Sequence, residues 1–113
     1  MNIKGSLGVK CFLAVAGLLV SSLAFQGAVP ARDGAAVYKN NCVTCHGEDG
    51  KGFAALKTPD FTDPKWQSSK TDKELKEIVK DGKKGTPMPP FGDKLSSGQI
   101  TSVVAYIRSL KNK

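Results

Sequence analysis

Three residues with cofactor-binding side chains lie within the five-residue segment Cys42-Val43-Thr44-Cys45-His46. Two thiols separated by two residues and followed at once by an imidazole form the C-x-x-C-H pattern of c-type haem attachment. In a helix-like turn the thiols reach the two vinyl groups on one porphyrin edge and form thioethers, and the adjacent histidine then faces the iron. The pattern therefore predicts one covalently bound haem c, with Cys42 and Cys45 as attachment sites and His46 as an iron ligand.

Three other kinds of site use cysteines at this spacing. A thioredoxin-like redox pair accompanies a βαβ pattern, which does not occur around residues 42–46. A zinc site needs four ligands, but His46 is the only histidine, and the third cysteine, Cys11, lies in an N-terminal apolar run. A disulfide between Cys42 and Cys45 would close a very small loop and join no distant segments. Haem attachment is the favoured interpretation, and these three remain the alternatives.

A methionine, Met88, lies in the segment Pro-Met-Pro-Pro at residues 87–90. Prolines fix φ and remove backbone donors, so this segment predicts a stiff loop that holds one side chain in place. Methionine is the usual second axial ligand of electron-carrying c-type haems and raises their potential, so Met88 is predicted to be the distal ligand. Alternatively, Met88 simply fills a gap in the core. Other side chains that can bind iron chemically lie in less constrained segments: Lys83, Lys84 and Tyr38.

Residues 1–24 have the features of a secretory signal peptide. Two lysines precede an unbroken apolar run and small residues follow it, so cleavage is predicted after Ala24, with Ala28 as the second choice. Residues 11–31 carry no charge, and an uncleaved membrane anchor is therefore the alternative. Cleavage after Ala24 leaves 89 residues, of which residues 31–113 form one periplasmic domain. A chain this short buries a modest core and often needs a cofactor or crosslink to stabilise it.

The rest of the sequence predicts helices and no strands. Asp33 is expected to N-cap a first helix running toward the cysteines, and residues 47–64, rich in Gly, Pro and Asp, predict a loop over a haem edge. Residues 71–82 and 96–113 predict two further helices, and each begins with a capping box. The capping pairs are Thr71 with Glu74 and Ser96 with Gln99. The apolar faces consist of Leu75, Ile78 and Val79 in one helix and Ile100, Val103, Val104, Ile107 and Leu110 in the other.

Four stretches of the chain, GAAVYKNNCVTCHGEDGKG, KTPDFTD, GTPMPPFGDKLS and ITSVVAYIRSL, resemble class I monohaem cytochromes c of the small bacterial type. The resemblance covers Asp33 to about Lys111. It implies an all-α cytochrome c fold in which the helices surround one haem c. It further implies that the Pro59 carbonyl accepts the Nδ1–H of the proximal histidine, a bond that orients the ring. The family's helix crossing corresponds here to Gly34 and Tyr38 of the first helix with Val103 and Tyr106 of the last.

Two aromatic residues near the predicted site allow more than one interpretation. Trp66 either donates its indole N–H to a haem propionate or is a core aromatic bonded to a backbone carbonyl. Phe91 is expected to pack near the Met88 loop as part of the core.

The charge distribution bears on possible partners. The net charge of +7 falls to +5 after the predicted cleavage. Lysines are frequent between residues 65 and 84, and Lys83 and Lys84 adjoin the Met88 loop. A basic surface at a haem edge steers redox partners that have acidic docking surfaces, although the helical lysines also fit a plain solvated face. Nucleic-acid binding is not indicated, because the lysines lack interleaved aromatic residues.

Together these features predict an electron-transfer protein, a monomer that is not itself an enzyme. It would carry one electron between periplasmic or membrane redox partners such as an oxidase, reductase or dehydrogenase. An iron with histidine and methionine on its two faces has no open position for a substrate. The alternative is a haem c subunit of a respiratory oxidase or dehydrogenase complex, or an iron from which Met88 detaches to admit a small ligand.

Overall fold

The structure, a computed structural model, describes Gly17 and residues 31–113, so the predicted signal peptide lies, apart from Gly17, outside the described residues. This part of the chain contains helices and no strands, which confirms the predicted all-α class. None of its helices has the length and apolar character needed to cross a bilayer. The elements are α1 (Ala31–Asn41), α2 (Val43–His46), a 3-10 turn (Ala54–Leu56), α3 (Pro64–Ser68), α4 (Asp72–Asp81) and α5 (Ser97–Ser109).

Helices α1 and α5 cross at a buried glycine, Gly34. A Cβ placed on Gly34 would overlap the Ser102 backbone carbonyl and come within 2.9 Å of the Tyr106 Cβ. One turn further along α1, the ring of Tyr38 packs on Tyr106 with centroids 5.1 Å apart. The close approach of the two helices thus depends on the absence of a side chain at Gly34, as the family resemblance implies.

Both predicted capping boxes form. At the start of α4, Thr71 N donates to Glu74 Oε2 at 2.7 Å and Glu74 N donates to Thr71 Oγ1 at 3.2 Å. At the start of α5, Ser96 N donates to Gln99 Oε1 at 2.9 Å and Gln99 N donates to Ser96 Oγ at 3.2 Å. These bonds satisfy amide groups that have no partner within the helix, and they fix where the two helices begin.

The structure differs from the sequence predictions in three places. Asp33 is not an N-cap but lies in the first turn of α1, where a carboxylate favours the positive end of the helix dipole. Helix α3 was not predicted, although its signal is present: Asp63 caps it by accepting from Lys65 N at 2.9 Å, and Pro64 occupies the first turn. Helix α5 ends at Ser109 rather than at the last residues.

The core forms where α5 meets the other helices. Its buried apolar residues are Val37, Tyr38, Phe61, Leu75, Val79, Leu95, Ile100, Val103, Val104, Ile107 and Leu110. Several of these side chains also line a cavity, so part of the apolar surface faces an internal space rather than another side chain.

Candidate haem site

The two thiols and the imidazole are placed by the junction of α1 and α2. Cys42 N donates to Tyr38 O at 2.8 Å, which ends α1, and His46 N donates to Cys42 O at 2.9 Å across the short α2. Residues three apart lie on one face of a helical turn, so Cys42 and Cys45 share the side of α2 that borders the cavity. The Tyr38 hydroxyl donates to Gly47 O at 2.7 Å and holds the end of this turn in place.

A cavity of about 390 Å³ lies between α2, the segment after it, α4 and the Met88 loop. All six residues predicted to bind the cofactor or its iron line this cavity: Cys42, Cys45, His46, Pro59, Trp66 and Met88. Its remaining walls are largely apolar and include Phe61, Leu75, Ile78, Val79, Phe91 and Leu95. Residues separated by more than forty positions in the chain therefore meet around one space.

His46 lies against an aromatic wall. Its ring stacks on Phe61 with centroids 4.7 Å apart and planes inclined by 21°. Burial lowers the pKa of His46, which favours the neutral imidazole that binds metals. Its Nδ1 is buried and has no hydrogen-bond partner among the described residues, so the expected bond to Pro59 is not formed in this structure. Pro59 nevertheless lines the same cavity.

The Met88 loop is fastened to the end of α4. Phe91 N donates to Val79 O at 3.0 Å and Gly92 N donates to Lys80 O at 2.9 Å. These acceptors are among the last carbonyls of α4, which have no partner within the helix. The loop is therefore held in place by hydrogen bonds to the end of α4, and its prolines restrict its backbone further.

A close backbone approach and three hydrogen bonds restrain the loop close to Met88. Gly82 has φ +74°, and a Cβ there would lie 2.8 Å from Met88 O. Lys83 N donates to the same carbonyl at 3.2 Å. Thr86, which the sequence analysis did not single out, donates its hydroxyl to Lys83 O at 2.7 Å and accepts from Met88 N at 3.3 Å. The half-buried Met88 side chain borders the cavity from this loop.

The other predicted residues have distinct environments. Trp66 lines the cavity and packs on Phe61 with centroids 4.8 Å apart. Phe91 lines the cavity next to the Met88 loop, as expected. Lys83 borders the cavity and Lys84 is exposed beside it. Lys57 and Lys70 also border the cavity, and no local pattern distinguishes them from the other lysines.

The arrangement suits haem c better than the alternative sites. Cys42 and Cys45 are not joined by a disulfide, and no group of three potential metal-binding side chains of the His, Cys, Asp and Glu types occurs in the described part of the chain. Burial, followed by the nearby Cys45, raises the pKa of the Cys42 thiol to about 11, which disfavours the thiolate form of this residue that redox chemistry would use. An apolar cavity lined by two thiols, an imidazole and a thioether has the donors that a covalently attached porphyrin with two axial ligands requires.

Comparison with known proteins supports this interpretation. The family model for cytochrome c oxidase, cbb3-type, subunit III matches residues 29–107. The cbb3-type cytochrome c oxidase subunit FixP of Azorhizobium caulinodans is 32% identical over 111 residues, which cover 94% of this chain and 37% of that protein. The subunit CcoP of Cereibacter sphaeroides is 33% identical over 78 residues, which cover 69% of this chain and 27% of that protein. The chain thus spans about a third of the length of these relatives.

Solved structures of small cytochromes share the fold. The c-type cytochrome KustC0563 superposes with a TM-score of 0.65 at 32% identity, covering 70% of this chain and 98% of that one. Cytochrome cL from Hyphomicrobium denitrificans superposes with a TM-score of 0.61 at 28% identity, covering 74% and 50%. These findings confirm the predicted cytochrome c fold and the resemblance to class I monohaem cytochromes c, and haem c is the cofactor of the domain. The chain belongs to the family of cbb3-type cytochrome c oxidase subunit III.

Proposed function

We propose that this protein carries single electrons on one haem c, attached through Cys42 and Cys45 and ligated by His46 and Met88. The observation that carries the proposal is the cavity itself, which has the thiol pair and His46 on one wall and Met88 on another. When bound, haem c supplies an iron that accepts and releases one electron. The protein contributes ligands, burial and orientation, and these set the reduction potential.

Each residue has a defined task in this proposal. Cys42 and Cys45 would hold the haem through thioether bonds beside α2, and His46, one residue further, would supply an imidazole to its iron. The neutral imidazole, favoured by burial, binds through Nε2 and leaves Nδ1 to donate a hydrogen bond. Pro59 O is the proposed acceptor, because the buried Nδ1 needs a partner and Pro59 borders the same space. Such a bond would fix the ring plane and increase the basicity of the ligand.

Met88 and Trp66 complete the site. Met88 would supply a neutral thioether that favours the reduced iron, and the hydrogen bonds of its loop would limit movement of the sulfur when the iron changes oxidation state. This reduces the rearrangement that accompanies electron transfer. Trp66, half-buried at the cavity wall, is proposed to direct its indole N–H to a propionate. With both axial positions filled, no side chain acts on a substrate, so the domain itself is not a catalyst.

The sequence predicts either a free electron carrier or a haem c subunit of an oxidase or dehydrogenase complex. Of these two, we favour a subunit of an oxidase. The observation behind this choice is the match to the family of cbb3-type oxidase subunit III and to relatives named FixP and CcoP. The domain would receive electrons from a donor and pass them to other oxidase components. Residues 1–24 are proposed to be a signal peptide that directs the domain to the periplasm, and the alternative is that they remain as a membrane anchor. The domain itself is proposed to be a monomer.

The proposed docking surface surrounds the cavity mouth. Phe53 and Leu56 are the large apolar side chains most exposed in the described part of the chain, at 46% and 41%, and Leu56 also borders the cavity. Lys83 also borders the cavity, and the exposed Lys84 follows it in the chain. An apolar patch beside lysines fits a partner with an acidic rim, since opposite charges accelerate encounter and fix orientation.

Mass spectrometry and visible spectroscopy test the cofactor assignment together. The mature protein should have the mass of the polypeptide plus one haem, and the haem should remain attached in acid and denaturant. The ferric protein should show the weak far-red band of methionine–iron ligation, and Met88→Ala should abolish that band. The control is Met88→His, which should remain low-spin while its reduction potential falls by hundreds of millivolts, an order-of-magnitude expectation. A far-red band that survives in Met88→Ala would exclude Met88 as the ligand.

A separate experiment distinguishes a free carrier from an oxidase subunit. Haem-loaded protein is isolated with its associated proteins from detergent-solubilised membranes and from the soluble fraction. Co-purification with oxidase subunits from membranes supports the proposed setting, whereas a holoprotein recovered alone and soluble would favour the free carrier.

A further inference from the structure

Arg108 on α5 joins α3 and the start of α4 through four hydrogen bonds. Its Nε donates to Asp72 Oδ1 at 2.7 Å, and its Nη2 donates to Lys70 O at 2.5 Å. Its Nη1 donates to both the backbone O and the side-chain Oε1 of Gln67, at 2.6 Å and 2.9 Å. One planar guanidinium therefore satisfies carbonyls at and beyond the end of α3, which have no partner within that helix.

The side chain of Gln67 extends this network into the core. Gln67 is 4% exposed, and its Nε2 donates to Phe61 O at 2.7 Å and to Ile107 O at 2.9 Å. Its Oε1 is the acceptor for Arg108. The amide thus ties the backbone at residue 61 to helix α5, and both of its polar atoms are satisfied.

Phe61 is the residue that transmits this restraint to the site. It is 5% exposed, and its ring stacks on His46 at 4.7 Å and packs on Trp66 at 4.8 Å. It also meets Tyr38 edge to face at 6.4 Å. The position of one backbone carbonyl, Phe61 O, is therefore linked to the orientation of the imidazole.

We propose that Gln67 and Arg108 are positioning residues that orient His46 through Phe61. The inference rests on the proposed role of His46 as an axial ligand. Without the Gln67 amide, Phe61 O loses its buried donor, and an unsatisfied buried carbonyl is costly. Ile107 O keeps the Leu110 N–H as a donor, so the cost falls on the backbone at residue 61. The backbone around residue 61 then moves to find other partners, the Phe61 ring moves with it, and the imidazole loses its stacking surface. A change in the His46 ring plane alters the iron–imidazole bond without changing which atoms bind the iron.

The test compares Gln67→Leu with Val104→Ala in the haem-loaded protein. Gln67→Leu removes both donors and the acceptor while keeping an uncharged side chain of similar size. Val104 is a buried α5 residue that does not line the cavity, so Val104→Ala supplies a matched loss of stability. The first measurement is the pattern of hyperfine-shifted haem methyl resonances in the ferric protein, which depends on the orientation of the axial ligand planes. The second is the reduction potential.

Gln67→Leu should shift the methyl resonances and the potential, and Val104→Ala should leave both at wild-type values despite a lower melting temperature. Arg108→Lys keeps the positive charge but loses the forked contacts to Gln67, so it should show a smaller shift in the same direction. It also provides the test if Gln67→Leu does not fold. Asp72→Asn, which alters an exposed partner of Arg108 and not the link to Phe61, should behave as wild type.

If the Gln67 and Arg108 variants match Val104→Ala in both measurements, the network is structural only and the inference is wrong. Failure of the proposed function is a different result, because the wild-type spectrum would then lack the signature of a low-spin iron with histidine and methionine ligands.

Discussion

Haem-free protein should not fold, and the cavity gives the size of the effect. Cavities in protein cores cost about 24 cal/mol per Å³, so an unfilled space of about 390 Å³ corresponds to roughly 9 kcal/mol. The cavity opens to solvent on one side, so this value is an upper bound. Domains of this kind are stable by about 5–15 kcal/mol in total. Even a fraction of this upper bound is a large part of the free energy of unfolding of so small a domain.

The perturbation is the double variant Cys42→Ala with Cys45→Ala, which cannot attach haem covalently. We expect weak helical circular dichroism and no cooperative thermal transition. Trp66, the only tryptophan, should emit as a solvent-exposed indole. The matched control is Thr44→Ala, which changes an exposed residue between the two cysteines and leaves both thiols. It should attach haem and melt cooperatively, as the wild type does.

A helical double variant with a cooperative melt would refute this reasoning. It would mean that the walls of the cavity collapse onto one another, so that the apolar residues of α4 and α5 make a sufficient core without the cofactor. A partial result is also informative: near-native helix content without a cooperative transition would indicate that the capped helices form but do not pack.

Three further predictions follow from individual contacts. Gly34→Ala should lower the free energy of unfolding in urea by about 1–3 kcal/mol, because the new methyl overlaps α5. Gly98→Ala should instead raise the free energy of unfolding by up to about 1 kcal/mol, because that site in α5 has room for a Cβ. Equal effects at the two glycines would contradict the conclusion that Gly34 is needed for the crossing of α1 and α5. Thr86→Val removes two bonds beside Met88, so imidazole should displace Met88 at a concentration lower by about fivefold, as a loss of about 1 kcal/mol implies. An unchanged imidazole titration of the far-red band would mean that the Thr86 hydroxyl does not restrain the loop.

The features that could be predicted from the sequence are those encoded within a few residues. A capping box needs only residues three apart, which is why the starts of α4 and α5 were predicted correctly. The cysteines and His46 lie within one helical turn, so their meeting at one site is equally local. Helix α3 has the same kind of signal in Asp63 and Pro64, but it is only five residues long and follows a segment rich in Pro and Asp, so it was not predicted.

The features that escaped prediction depend on contacts between distant segments. Gln67 and Arg108 lie 41 positions apart, and nothing in either local sequence indicates that they meet. The same holds for the support of the Met88 loop, where Phe91 and Gly92 bind the last carbonyls of α4. The prolines around Met88 correctly predicted a loop, but the predicted stiffness would not by itself determine where the loop lies. That position comes from the α4 terminus, which the sequence marks only as a helix end.

These distant contacts share one consequence for electron transfer. The His46 side of the cavity is held through Phe61, Gln67 and α5, whereas the Met88 side is held through the end of α4. The two supports meet because α4 and α5 pack together, so both walls belong to one connected scaffold. In the proposed site, an iron bound between walls fixed in this way would change its charge without a large displacement of either proposed ligand, and rapid exchange of single electrons requires such a small displacement. The apolar residues that line the cavity would exclude water from the haem rather than bind a substrate. This role explains why much of the core of so small a chain lines one cavity.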